Sequence, residues 1–297
     1  MRAGAWRVRS RDRYHLAEGA RWHEDALIFV DLLRGVLYQD DAPPGDRPRR
    51  LLSLGVPLGA VAPVAGRPGE WIAAAGAGIA LVGPGEPLRW LSRPEERAPV
   101  RMRMNDAACD PQGRFWAGSM EVTGARGAGS LYRVDHDGGV QCVLSGLTVP
   151  NGPAFTPCGT VMYLADSARR VIHRFPVEPA SGELGPGEVF ARFSADEGRP
   201  DGMTVDDEGH LWVALWGGAQ VRRYAPRGSP VLLEKLPTRQ PTSVALGGGC
   251  VFVTTARHRM DPPDPLAGAV LVRPCAMTAP PAYAFGPEGG GRGISLP

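Results

Sequence analysis

One phrase returns six times along this 297-residue chain. A turn, often closed by Gly, is followed by a burst of aromatic and β-branched residues. The copies are Glu24-Asp25 before Leu27-Ile28-Phe29-Val30, Pro68-Gly69 before Trp71-Ile72, and Gln112-Gly113 before Phe115-Trp116. The others are Cys158-Gly159 before Val161-Met162-Tyr163-Leu164, Glu208-Gly209 before Leu211-Trp212-Val213, and Gly248-Gly249 before Val251-Phe252-Val253. With Asp25, Gly69, Gly113, Gly159, Gly209 and Gly249 as markers, the spacings are 44, 44, 46, 50 and 40 residues. A period of about 40–50 residues built from short strands predicts an all-β fold, a six-bladed β-propeller with four-stranded antiparallel blades.

The third and fifth repeats read most fully. Strands are expected at residues 107–109, 114–117 and 130–134, and again at 202–205, 211–215, 220–224 and 231–233. Asp110, Asp137, Gly138, Asp206 and Asp207 are assigned to tight turns. The sixth repeat is short of strands: residues 251–255 and 269–272 are clear, and 282–285 form a weak third. An N-terminal strand at residues 5–9 has no blade of its own. A ring has no free edge only if that strand completes the last blade, so residues 5–10 are expected to pair with the sheet of residues 250–285. The chain is read as one domain, 1–297, with a Gly-rich and mobile tail at 286–297.

Composition excludes several classes. The 33 basic residues face 31 acidic ones, and the net charge is only +2. Arg47-Pro48-Arg49-Arg50 lacks interleaved aromatics, so no nucleic-acid footprint is expected. No run approaches the roughly 18 apolar residues of a membrane helix. Residues 1–10 lack the apolar centre of a signal peptide, and a cytoplasmic location is expected. Cys109, Cys142, Cys158, Cys250 and Cys275 show no C-x-x-C spacing, which argues against disulfides and thiolate zinc sites.

The chemistry lies seven or eight residues before the markers, where each innermost strand begins. That phase gives Glu18, Asp106 with Asn105, Asn151 and Asp201, which a propeller brings to one mouth of its axial channel. Glu18, Asn151 and Asp201 each precede Gly, which permits unusual dihedrals and close backbone approach. Two carboxylates and an amide aimed at one point repel unless a cation lies between them. All-oxygen donors select a hard divalent ion, Ca²⁺, Mg²⁺ or Mn²⁺. Strand alternation puts Arg103 on the side of Asn105, within reach of the same mouth. His15, His173 and His258 read as isolated. Trp22, Trp116, Trp212 and Trp216 read as blade core. No G-x-S-x-G elbow supports a serine nucleophile.

These residues resemble the sugar lactonase family of gluconolactonase and regucalcin (senescence marker protein). Glu18-Gly19-Ala20-Arg21-Trp22 looks like the family's opening E-G-P-x-W. Arg103-Met104-Asn105-Asp106, with the segment from Asp110-Pro111 to Ser119-Met120, looks like its R-x-N-D…D-P-x-G-R-x-W-x-G-T-M block. Pro150-Asn151-Gly152, with Tyr163-Leu164-Ala165-Asp166-Ser167, and Arg199-Pro200-Asp201-Gly202-Met203 resemble its S-N-G…Y-x-x-D-S and P-D-G-M blocks. The resemblance implies one divalent metal on Glu18, Asn151 and Asp201, with Ca²⁺ the first choice and Zn²⁺, Mn²⁺, Mg²⁺ or Fe²⁺ as alternatives. It implies substrate contacts from Arg103 and Asn105. Two departures stand out. Ala107-Ala108 replaces the family's Gly-Lys. Glu121 follows Met120 directly and shifts the register of the acidic substrate contact it would supply.

The expected activity is metal-dependent hydrolysis of an aldonolactone, such as a glucono- or pentonolactone, to the aldonic acid. Asp201 is both ligand and general base. Alternatives are a phosphotriester hydrolase on the same metal, and a non-catalytic calcium-binding or protein-docking propeller. The expected partner is a small sugar lactone, met by a monomer or weak homo-oligomer.

Overall fold

The structure, a computed structural model, describes residues 5–41, 43 and 45–287. Six four-stranded antiparallel sheets follow one another in chain order. The innermost strands are Ala17–His23, Leu58–Pro63, Met102–Cys109, Pro150–Phe155, Arg199–Val205 and Pro241–Gly247. Blades 1 to 5 then run outward strand by strand.

The strands are apolar on both faces because each sheet is packed on both sides. In blade 5, Leu211, Val213 and Leu215 join the cluster shared with blade 4, while Trp212 and Ala214 join the cluster shared with blade 6. Blade 3 does the same, with Phe115 and Ala117 toward blade 2 and Trp116 toward blade 4. The strand period of two thus feeds two interfaces from one segment. Trp116 and Trp212 are fully buried, as expected of blade core. Their indole N–H groups donate to Asp110 Oδ2 at 3.0 Å and Asp206 Oδ2 at 2.9 Å. The other oxygen of each carboxylate accepts turn amides, from Arg114 and from His210. The turn aspartates therefore tie each hairpin to the tryptophan that fills the next interface.

The ring closes as expected. Arg7–Val8 pairs antiparallel with Leu271–Pro274 and supplies the outermost strand of the sixth blade. Two C-terminal expectations are corrected. The strand placed at 269–272 runs over Leu271–Pro274, and residues 282–285 form no strand of that blade. The N-terminal strand already holds the fourth place. The C-terminal segment instead crosses the end of the channel remote from the ligand mouth. Its anchors are Asp207 N to Thr278 O, Ala282 N to Trp22 O and Phe285 N to Pro63 O, at 2.9, 2.8 and 2.7 Å. Phe285 is fully buried in the cluster between blades 2 and 3. Gly286, assigned to a mobile tail, is held by its N–H to Gly113 O at 3.0 Å. Residues 288–297 of that expected tail lie outside the described residues. No helix among the described residues is long and apolar enough to cross a membrane.

Candidate active site

All six innermost strands share a device that aims side chains down the axis. Their ladders slip register between Glu18 and Arg21, Leu58 and Ala60, Met104 and Ala107, Asn151 and Ala154, Pro200 and Met203, and Pro241 and Ser243. A bulge bends its strand and redirects a side chain. Here it acts at one phase around the ring. The entrance is also clamped in two blades. Asp31 accepts the amides of His15 and Leu16, and Asp166 those of Thr148 and Val149. Each clamp lies two residues before a candidate ligand, Glu18 or Asn151.

The glycines have a further reason, contact between neighbouring inner strands. A Cβ on Gly202 would lie 2.5 Å from Ser243 Cβ, and one on Gly152 would lie 2.7 Å from Met203 Cε. Gly19 and Gly152 also take positive φ, +60° and +74°. Gly202 does not, so packing alone accounts for it.

Glu18, Arg103, Asn105, Asn151 and Asp201 line one cavity of about 530 Å³. A run of hydrogen bonds fixes the amide orientations inside it. Arg103 donates to Asn105 Oδ1 at 2.6 Å. Asn105 Nδ2 donates to Pro150 O and to Asn151 Oδ1, each at 2.8 Å. Asn151 Nδ2 donates to Ser167 Oγ at 2.8 Å, and Ser167 Oγ to Pro200 O at 2.5 Å. Asn105, read from sequence as a substrate contact, lines the cavity with its amide hydrogens already committed to orienting Asn151.

The two carboxylates differ from every other group in this network. Glu18 Oε2 and Asp201 Oδ1 are buried with no hydrogen-bond partner. Burial pushes both carboxyls well above the usual carboxylate range. The Asp201 and Asp106 charges add to the effect on Glu18, and Asp106 to that on Asp201. Asp106 shares the phase but not the freedom. Its Oδ1 accepts the Ala107 amide at 2.8 Å and its Oδ2 the Gly152 amide at 3.0 Å, with Arg21 at 3.5 Å. It therefore holds the backbone next to Asn151. Burial brings the Arg103 guanidinium down to about 10, against the pull of Glu18.

Other sequence expectations are revised. Glu121 is not among the residues lining the cavity. Its Oε2 accepts from the Thr123 hydroxyl at 2.6 Å and from the Thr123 and Ala125 amides, and so shapes the turn that carries Thr123 and Gly124 to the rim. His15 and His258 are not isolated: their rings meet at 3.2 Å between Nε2 and Nδ1, and His258 lines the cavity. Trp216, assigned to blade core, lines it too, as do Ser167, Arg199, Gln240 and Arg259.

A hard cation fits this site. Two orphaned buried carboxylate oxygens demand positive charge, because an uncompensated buried anion is costly. The Asn151 amide is held so that its oxygen has one lone pair left. Among the described residues no three His, Cys, Asp or Glu side chains group as a metal cluster. A metal here would take two carboxylates, an amide oxygen and water, which suits an oxygen-preferring ion. Ser167→Ala removes the acceptor that keeps Asn151 Nδ2 turned away. The expected loss is about 10–100-fold in Mn²⁺ affinity by calorimetry, since groups that orient metal ligands carry effects of that size. Unchanged affinity would show that the amide is fixed by other means.

Comparison with known proteins adds to this geometry. Residues 16–257 match the family profile described as SMP-30/Gluconolactonase/LRE-like region. The pentonolactonase of Haloferax volcanii is 34% identical over 253 residues, covering 81% of this chain and 81% of that protein. The 6-deoxy-6-sulfogluconolactonase of Pseudomonas putida is 32% identical over 256 residues, covering 84% and 86%. Among solved structures, the calcium-binding protein regucalcin from Agrobacterium tumefaciens superposes with a TM-score of 0.87 at 26% identity, covering 95% of this chain and 97% of that one.

Proposed function

The chain belongs to the SMP-30/gluconolactonase/LRE-like family and is a hydrolase of cyclic esters, and from that premise we propose that it opens an aldonolactone to the aldonic acid at a divalent metal ion. Glu18, Asn151 and Asp201 would hold the ion. The observation that carries this reading is the pair of buried, unpartnered carboxylate oxygens, Glu18 Oε2 and Asp201 Oδ1, in one cavity.

A divalent cation bound there supplies Lewis acidity toward a carbonyl oxygen and lowers the pKa of bound water. The protein's own groups do the rest. Asp201 takes the proton of the attacking water and returns it to the ring oxygen as the acyl C–O bond breaks; its carboxylate accepts the Gly202 amide and leaves Oδ1 without a partner. Arg103 lines the cavity as a cation that offsets the negative charge growing on the carbonyl oxygen. Gln240 supports a sugar as the substrate. It is 8% exposed, its Oε1 is buried without a partner, and it lines the same cavity. An orphaned acceptor needs a donor, and a sugar hydroxyl is one. A phosphotriester carries no such donor, which weighs against that alternative. The relatives named as lactonases act on pentonolactone and 6-deoxy-6-sulfogluconolactone, and we take an aldonolactone of five or six carbons as the substrate class. The five cysteines are free of one another, which supports a reducing compartment such as the cytoplasm.

The test is acid release from a panel of pentono- and hexonolactones, followed with a pH indicator. Turnover is expected to vanish on chelation and to return with Ca²⁺, Mn²⁺, Mg²⁺ or Zn²⁺. Absence of release with every ion would reject the lactonase reading and favour a binding propeller; hydrolysis of a phosphotriester alone would favour the rival chemistry.

A further inference from the structure

The cavity carries more positive charge than its carboxylates explain. Its lining contains three guanidiniums, Arg103, Arg199 and Arg259, against two carboxylates, Glu18 and Asp201. Asp106, below them, already has Arg21 at 3.5 Å. Resting on the metal reading above, a divalent ion would neutralise Glu18 and Asp201 and leave all three arginines uncompensated.

The two outer arginines are exposed and make no ion pair or side-chain hydrogen bond among the described residues. Several other exposed arginines of this protein do find a carboxylate: Arg34 with Asp31, Arg93 with Glu96, Arg169 with Asp166, Arg239 with Asp264. Arg199 lies two residues before Asp201 on the same strand, so strand alternation puts both on the cavity side. Arg259 comes from the loop after the second strand of blade 6. Its φ is +56°, a left-handed conformation that a long side chain adopts at a cost and that collects at functional sites. The His258 ring beside it is held down to about 4, by burial first and then by Arg259, His15 and Arg103, which marks a positive field in this part of the cavity.

We propose that Arg199 and Arg259 form an anion subsite at the outer end of the cavity, and that the substrate is an aldonolactone bearing a second acidic group, a carboxylate, sulfonate or phosphate, at the end remote from the lactone carbonyl. Guanidinium groups match such anions with paired, charge-assisted N–H donors. A neutral lactone leaves both arginines without a partner. The carboxylate produced by ring opening forms at the metal end, and does not replace the remote group.

Calorimetric titration tests this without turnover. The probes are gluconate, glucarate (a second carboxylate at carbon 6) and gluconate 6-phosphate, each added to the metal-loaded protein. Both doubly acidic probes are expected to bind about tenfold more tightly than gluconate, with a margin that shrinks as salt rises. In Arg199→Gln/Arg259→Asn the margin should collapse to about unity; Asn suits the left-handed position of 259. Arg199→Lys/Arg259→Lys keeps the charge without the paired donors and should retain a salt-sensitive part of the margin, which separates loss of charge from loss of fold. Tightening by phosphate but not by carboxylate would narrow the remote group to a phosphate. Equal affinity of the wild type for all three probes, or a margin that survives the charge-removing double variant, would overturn the inference. Hydrolysis of neutral lactones without a margin defeats only this subsite. A margin without hydrolysis of any lactone defeats only the lactonase reading.

Discussion

Asp201→Asn is expected to lower lactone turnover by about 10⁴-fold or more while leaving the propeller folded. The substitution conserves shape and exchanges a charged acceptor for a neutral amide. It replaces one of the two buried carboxylates that carry an unpartnered oxygen in the cavity with a neutral amide, and so removes the proposed base and weakens a metal ligand. General-base catalysis alone is worth roughly 10²–10⁴-fold, and an uncharged ligand holds the metal less tightly as well. The fold should survive, because Asp201 belongs to none of the six apolar clusters between blades. Saturating metal should not restore the rate. Turnover within tenfold of wild type would remove Asp201 from the mechanism.

The second large effect has the opposite sign on stability. Without metal, Asp201→Asn and Glu18→Gln are each expected to be more stable than the wild type at pH 7, by about 2 kcal/mol, or roughly 5 °C in Tm. Glu18 and Asp201 are 7% and 4% exposed; after burial, Asp201 and Asp106 raise the cost of ionising Glu18, and Asp106 that of Asp201. Both carboxyls are raised in the folded state, so across the window between their unfolded and folded values the native protein binds more protons than the unfolded chain. Stability conferred by these groups therefore falls as pH rises through that window. Thermal unfolding of metal-free wild type should show Tm declining as pH rises above the ordinary carboxylate range, and either variant should flatten the decline. A variant less stable than wild type throughout would mean that the carboxylates are compensated by groups of the chain itself.

The fold was legible because one turn and one two-sided strand recur in every blade. The apolar runs at 211–215 and 115–117 state that both faces are covered. The end of the chain was not legible in the same way. Residues 282–285 have strand-like composition, but Phe285 pairs with Val64, some 220 positions earlier, and no local pattern announces such a contact. Glu18, Asn151 and Asp201 could be picked out jointly because a ring turns equal phase into common position. What orients them could not. Ser167 reaches Asn151 from the turn that follows the neighbouring strand, and Asn105 reaches it from the adjacent blade. Glu121 lies outside the cavity lining, and its Oε2 accepts from Thr123 and Ala125 of its own turn. Trp216 lies one residue past the apolar alternation of 211–215 and reaches the cavity wall, where it also packs against the cluster between blades 1 and 2. Arg199 repeats the spacing of Arg103 to Asn105 one strand position before Pro200, a signal present in the sequence; His258 and Arg259 lie on a loop with no repeat phase.

Thermal unfolding of wild type and Asp201→Asn side by side, titrated with Ca²⁺ or Mn²⁺, puts the proposed metal site to the most direct trial. An ion that binds only the native state adds about 2.7 kcal/mol at a concentration 100 times its Kd. Wild type should gain that stability and overtake the variant, which should respond far less at the same ion concentration. Equal shifts in the two proteins, or none in either, would contradict a single divalent ion held by Glu18, Asn151 and Asp201.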